Sequence, residues 1–357
     1  MNQERINAVI QKMKTDQIHQ ILVSDPCSIW YLTGVDVEPG ERLFALYLND
    51  EGRKVLFLNT LYTVHQNGCE EVWFSDTDDS ISLMAHVIDA NQTLGIDKEW
   101  KARFLIPLMQ KCPSLSVVLG SQYVDETRAI KDEEEIECMI ENSRINDQVL
   151  ERTKNYIQEG MSEKQVEAFI LEQYKELGCE STSFPPICSF GANGADPHHM
   201  PDETVLKAGD SIVLDIGGRK DRYCSDMTRT YFCKEAKEEY KKIHDIVRCA
   251  NEKAEAMIRP GVRLCDIDAC ARDYIASFGY GKYFTHRLGH FIGQTDHEFG
   301  DVSATNTNVV QPGMIFSIEP GIYLPDQMGV RVEDLVLVTE TGCQVLNQVD
   351  KKYAMIG

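Results

Sequence analysis

The chain has no Cys-x-x-Cys pair among its 12 cysteines; the two closest, Cys265 and Cys270, fall in a stretch that reads as a helix. Zinc ribbons and disulfide frameworks need tighter grouping or a secretory context, so reduced thiols are expected. No apolar run approaches membrane-spanning length, and Met1–Arg5 carries no apolar signal core. A cytoplasmic protein without a membrane partner is the expectation. Positive charge is scarce: 36 Lys and Arg stand against 57 Asp and Glu, for a net charge of −21. That balance argues against nucleic acid and anionic membrane, both polyanions. Low-complexity segments and short-period repeats are missing too, which removes solenoid architectures.

What is present is an ordinary globular composition, 43% hydrophobic and 26% charged over 357 residues. That length suits two domains and a large core. In the first 123 residues helix and strand signals alternate. Ile6, Val9, Ile10 and Met13 have helical spacing. Strand-like runs follow at Gln20–Val23, Ile29–Leu32, Leu43–Leu48 and Lys54–Leu58. Further strands at Glu71–Phe74, Thr93–Ile96 and Ser116–Leu119 alternate with helices at Ile81–Ala90 and Lys101–Gln110. The pattern predicts a self-contained α/β domain over residues 1–123, with Trp30, Trp73 and Trp100 in its core. It carries no cluster of His, Cys or carboxylates at ligand spacing.

The texture changes at about Val124. Helices are expected at Arg128–Asn155, Ser162–Leu177, Lys237–Ile258 and Leu264–Phe278. Between them Ser183–His199, with three prolines and two glycines, reads as a rigid loop carrying His198. Ser211–Tyr231 reads as a β-hairpin turning within Gly217–Cys224, with Asp215 and Asp226 equidistant from its middle and so expected opposite each other. Two bare carboxylates there would repel by about 4 kcal/mol at ~4 Å and an effective dielectric of ~20. Thr285–Glu298 holds His286, His290 and His297. The four-residue step from His286 to His290 is that of a zinc helix, but Arg287 stands where that motif has Glu, and Gly289 and Gly293 disfavour a helix, so that reading is rejected. Gly313–Val338 reads as a second hairpin. Glu319 and Glu333 are nearly equidistant from its centre, with Arg331 on the face of Glu333.

Four carboxylates and a histidine in strands and loops are hard to explain as structure, because buried charge is rare unless paired or metal-bound. Oxygen-rich ligation with one imidazole suits Mn²⁺ or Co²⁺ better than structural Zn²⁺. The phrases Asp215-Ile-Gly, Ser225-Asp226-Met-Thr-Arg, Leu288-Gly-His290, Ser317-Ile-Glu319-Pro-Gly and Arg331-Val-Glu333-Asp334 resemble the pita-bread metallopeptidases. The resemblance runs from about Val124 to the C-terminus. Residues 1–123 resemble the extra N-terminal domain of the aminopeptidase P, prolidase and creatinase branch. The implied fold is an α/β N-terminal domain followed by an α+β pita-bread catalytic domain over residues 124–357.

The resemblance also implies two divalent ions, Mn²⁺ first and Co²⁺ second, held by Asp215, Asp226, His290, Glu319 and Glu333. It implies Glu319 as the proton carrier beside an activated water. His198 and His297 would line the substrate site and stabilise the tetrahedral intermediate, with His286 a weaker candidate, and Arg331 would orient a bridging carboxylate. The implied substrates are small peptides with proline second, cleaved before the proline by a dipeptidase or an aminopeptidase P, in a homodimer. A metal-free creatinase-like amidine hydrolase and a non-catalytic pita-bread binding protein are the alternatives, and the five intact ligands count against both. Phe291 and Gln294 depart from the usual family residues, which bears on pocket shape. Recognition of a free carboxylate after proline asks for Arg or Lys. Phe299–Gln311 contains neither, and Asp301 would repel an anion, so no strict demand for that carboxylate is expected.

Overall fold

Ile6, Val9, Ile10 and Met13 form the buried face of the helix Gln3–Thr15, which Asn2 caps by accepting from the Arg5 amide. The computed structural model describes residues 1–65 and 67–357. They divide into two units, Met1–Arg128 and Ala129–Gly357.

The first unit is built on a six-stranded sheet: β1 (Gln20–Val23), β2 (Ala45–Asn49), β3 (Lys54–Asn59), β4 (Glu70–Phe74), β5 (Leu94–Ile96) and β6 (Val117–Leu119), in the order β4-β3-β2-β1-β5-β6. Alternation along the strands gives the sheet two buried faces. Leu46, Leu48, Leu56 and Leu58 pack with the first helix, while Ala45, Tyr47, Val55 and Phe57 pack with Met84 and Leu108 on the other side.

Three expectations need correction here. Ile29–Leu32 is helical, within Pro26–Thr33. Its β-branched and aromatic content reads as strand, but Asp25 caps the amides of Cys27 and Ser28, Pro26 opens the first turn, and Gly34 ends it at φ 75°. Trp73 lies on the edge strand β4 and is 40% exposed. The division falls after Arg128 rather than Tyr123, because the helix Ser121–Arg128 puts Tyr123 and Val124 into the first unit's core.

The second unit is α+β. Its long helix is Glu133–Tyr156, starting later than expected because Asp132 and Glu135 form a capping box. A second capping box, Ser162 with Gln165, opens Glu163–Glu176. One sheet runs Met355–Ile356, Met227–Cys233, Ser211–Ile216, Ile187–Phe190 in spatial order; another runs Ile315–Ile318, Asp334–Val338, Cys343–Val345. Ile145, Val149 and Tyr174 pack the first two helices on the first sheet. The helices Glu238–Met257 and Leu264–Ser277 bring Val247 and Ile275 against Phe316 and Val336 of the second. Among the described residues no helix is long and apolar enough to cross a membrane.

Candidate metal centre and substrate cleft

In the first hairpin Lys220 pairs with Tyr223, so the turn is Asp221–Arg222, with φ of 49° and 69°. That left-handed pair is what a two-residue hairpin loop requires. The register sets Asp215 opposite Thr228. The centre therefore lies one residue later than the sequence reading has it, and Asp226, two residues before Thr228, is diagonal to Asp215 rather than opposite. Both still share a face.

In the second hairpin Ile318 pairs with Asp334 and Gly321 with Arg331. Glu319 thus falls opposite Glu333, as the sequence implies. The hairpins are laced together: the Glu333 amide donates to Thr228 O at 3.0 Å, and the Thr228 hydroxyl donates to Glu333 Oε2 at 2.6 Å. His290 arrives on the short strand Gly289–His290, paired with Asp301–Val302. A Cβ at position 289 would lie 1.9 Å from Ser317 O, so only glycine lets this strand approach.

These elements bring all five expected ligands to one cleft. His290 Nε2 is 3.4 Å from Asp226 Oδ2 and 3.7 Å from Glu319 Oε1. One ligand atom each from Asp226, His290 and Glu333 lie within 4.8 Å of one another. Burial, then repulsion between the carboxylates, pushes Asp226 and Glu333 well above the ordinary carboxyl range; burial also lifts Glu319 to about 7, with His290 and Arg331 opposing. Oδ1 of Asp215 and Oδ1 of Asp226 are buried with no hydrogen-bond partner among the described residues. Orphaned acceptors of that kind call for a cation. An oxygen-rich set with one imidazole fits hard or borderline divalent ions, and four carboxylates match two of them in charge.

The cleft, about 360 Å³, is at the small end for ligand sites. His198 and His297 both line it, with Arg331 and His286. The His297 ring lies 4.0 Å from that of His290, and its Nδ1 is 3.2 Å from Arg287 Nη2. Desolvation, His290 and Arg287 hold its pKa down to about 4, with Asp296 opposing. His286 is committed elsewhere, to the Tyr323 hydroxyl at 2.8 Å and Arg287 O at 2.7 Å. Arg331 binds Asp215 directly, rather than Asp226 or Glu333.

Sequence reasoning misses Tyr323, whose hydroxyl accepts from Arg331 Nη1 at 2.9 Å; an aromatic in a strand reads as core. It also misses that Arg287 and Asp296 line the cleft. A second acidic group, Glu163, His199 and Asp202, is close enough to suit an ion. Yet each Glu163 oxygen already accepts two hydrogen bonds, so nothing there asks for one.

Two laced hairpins presenting a buried, orphaned carboxylate–imidazole set to a small cleft define a metal-dependent hydrolase. The sequence profile of Metallopeptidase family M24 matches residues 137–340, and that of the Creatinase/Prolidase N-terminal domain matches residues 5–130. The chain belongs to metallopeptidase family M24. It has the expected α/β N-terminal unit followed by an α+β pita-bread catalytic unit. An uncharacterized peptidase of Staphylococcus aureus (strain MW2) is 36% identical, over 97% of this chain and 99% of its own. Among solved structures, a dipeptidase from Pyrococcus horikoshii OT3 is similar with a TM-score of 0.92 at 32% identity, over 99% of this chain and 100% of its own. A prolidase from Thermococcus sibiricus gives a TM-score of 0.92 at 32% identity, over 100% of both chains.

Proposed function

We propose that this enzyme hydrolyses the bond between an N-terminal residue and proline in short peptides, using two divalent ions, Mn²⁺ before Co²⁺. The observation that carries the metal chemistry is the Asp226–His290–Glu333 cluster beside two orphaned carboxylate oxygens. The proline preference is supported by the likeness to the T. sibiricus prolidase and by the walls of the cleft. Phe184, Pro185, Ile187 and Met200 offer apolar surface suited to a pyrrolidine ring.

Asp215, Asp226, His290, Glu319 and Glu333 would hold the ions. The chemistry such ions would supply is Lewis-acid polarisation of the scissile carbonyl and a lowered pKa for the attacking water. Glu319, at the edge of the ligand set, is the carboxylate placed to carry a proton to and from that water. Ser317 Oγ donates to its Oε1 at 3.4 Å. Arg287 donates to Nδ1 of His297, so the His297 proton sits on Nε2, and that N–H is the donor offered to the developing oxyanion.

Arg287 also bears on substrate length. It lines the cleft and makes no ion pair among the described residues. In an Xaa-Pro dipeptide the terminal carboxylate is separated from the scissile carbonyl only by the prolyl nitrogen and α-carbon. We assign that carboxylate to Arg287 and favour dipeptides, in place of the expectation drawn from Phe299–Gln311.

The test is Ala-Pro against Ala-Ala with the metal-loaded enzyme. A kcat/KM advantage of about 100-fold or more for Ala-Pro is expected. Equal rates overturn the proline assignment.

A further inference from the structure

Glu163 is fully buried at the start of the helix Glu163–Glu176, away from the metal ligands in sequence. Its two carboxylate oxygens close the loop that follows the strand Ile187–Phe190. Oε1 accepts from the Phe190 amide at 2.7 Å and Asn193 Nδ2 at 3.0 Å. Oε2 accepts from the Asp202 amide at 3.0 Å and is 2.8 Å from His199 Nε2. The loop is therefore held at its first residue, at its last and twice between by one side chain. A carboxylate, acceptor-only with two oxygens, is the group that can take four donors at once. His198 sits in the middle of this span with its amide fixed on Asp196 Oδ1 at 3.0 Å. His199 turns inward to Glu163, while its neighbour His198 is exposed and lines the cleft. On the far side Pro197 O accepts from Arg331 Nη1 at 3.4 Å.

We propose that Glu163 is a positioning residue: by gathering the loop 190–202 onto one buried carboxylate, and His199 in particular, it sets His198 in the substrate cleft. This rests on the reading of His198 as a substrate-contacting histidine. It accounts for a buried acid with no part in the metal centre, and for adjacent histidines with opposite orientations.

A kinetic double-mutant cycle on Ala-Pro tests it, using the wild type, Glu163→Ala, His198→Ala and the double variant, each with its metal content measured. Glu163→Ala is expected to lower kcat/KM on the order of 10- to 100-fold, as a misplaced positioning group does, with full metal content. In the His198→Ala background the same change is expected to cost no more than about 3-fold. Equal losses in both backgrounds, or a loss that follows missing metal, overturn the inference. Glu163→Gln, which keeps shape and one acceptor oxygen, is expected to fall between; a Gln variant as impaired as Ala in every background also overturns it. Hydrogen exchange separates this inference from the functional reading. Faster exchange confined to residues 190–202 in Glu163→Gln supports it even if the wild type cleaves no Xaa-Pro peptide, and unchanged exchange refutes it whatever the activity.

Discussion

Arg331 reaches from one hairpin to Asp215 on the other, Nη2 to Oδ2 at 2.5 Å, and this contact decides which Asp215 oxygen is left for a metal. The rest of the guanidinium is committed as well, Nη1 to the Tyr323 hydroxyl at 2.9 Å and Nε to the Thr228 hydroxyl at 3.0 Å. Lysine cannot reproduce that planar fork. Arg331→Lys is therefore expected to weaken metal binding by about 10- to 100-fold, as loss of an outer partner does, and to lower kcat with it. Metal titration beside steady-state kinetics checks this; wild-type values for both would contradict the role.

Metal loading is expected to stabilise the fold. Stripping the ions leaves four converging carboxylates with one guanidinium, whereas a ligand at about 100 times its Kd adds roughly 2.7 kcal/mol. Thermal unfolding with and without chelator reads this directly. A Tm unmoved after confirmed metal loss would be incompatible with a buried metal centre.

Acid should destabilise the second unit through His244. The ring is fully buried, with centroid distances of 6.3 Å to Phe232 and 5.2 Å to Tyr353, and neither nitrogen finds a hydrogen-bond partner among the described residues. Burial holds its pKa down to about 4; Arg248 and Arg229 act in the same direction and Asp245 against it. The unfolded chain takes up this proton near pH 6.5 and the native state does not. Its contribution is thus intact above about pH 6.5 and lost as pH falls toward about 4, up to roughly 3 kcal/mol. His244→Phe should flatten the stability curve in that window. Parallel curves for variant and wild type would show that the proton is taken up elsewhere.

The Arg287 assignment concerns substrate length. For the wild type an Ala-Pro dipeptide should be preferred over its amide and over Ala-Pro-Ala by about 100-fold, the worth of a charge-assisted pair. Arg287→Met should erase most of that preference through KM. An equal loss on dipeptide and amide would mean that Arg287 serves His297 alone.

Much of this was legible in the sequence because the ligands sit in regular strands or directly beside their ends. A period of two and an estimate of the turn centre suffice to set Glu319 opposite Glu333. The same reasoning slips by one residue at Asp215 and Asp226, because their turn uses Asp221 and Arg222 in left-handed conformations and no Asn-Gly or Gly-Gly pair marks it. Ile29–Leu32 goes wrong for a different reason: its composition favours strand, and only the flanking Asp25, Pro26 and Gly34 reveal the helix. Tyr323, Arg287 and Glu163 act through contacts made by tertiary folding, and local pattern carries no trace of those. Each looks ordinary in its own segment, respectively a strand aromatic, a loop arginine and a first-turn acid.

The most direct test is to titrate the metal-stripped enzyme with Mn²⁺ while following Ala-Pro hydrolysis, with Asp226→Asn alongside. Activity is expected to rise from near zero and level off at two ions per chain, and the variant to bind less metal and stay inactive, since Asp226 lies at the heart of the ligand cluster with a buried, unpartnered oxygen. Full activity in the stripped protein, or an Asp226→Asn enzyme with wild-type metal content and rate, would contradict it.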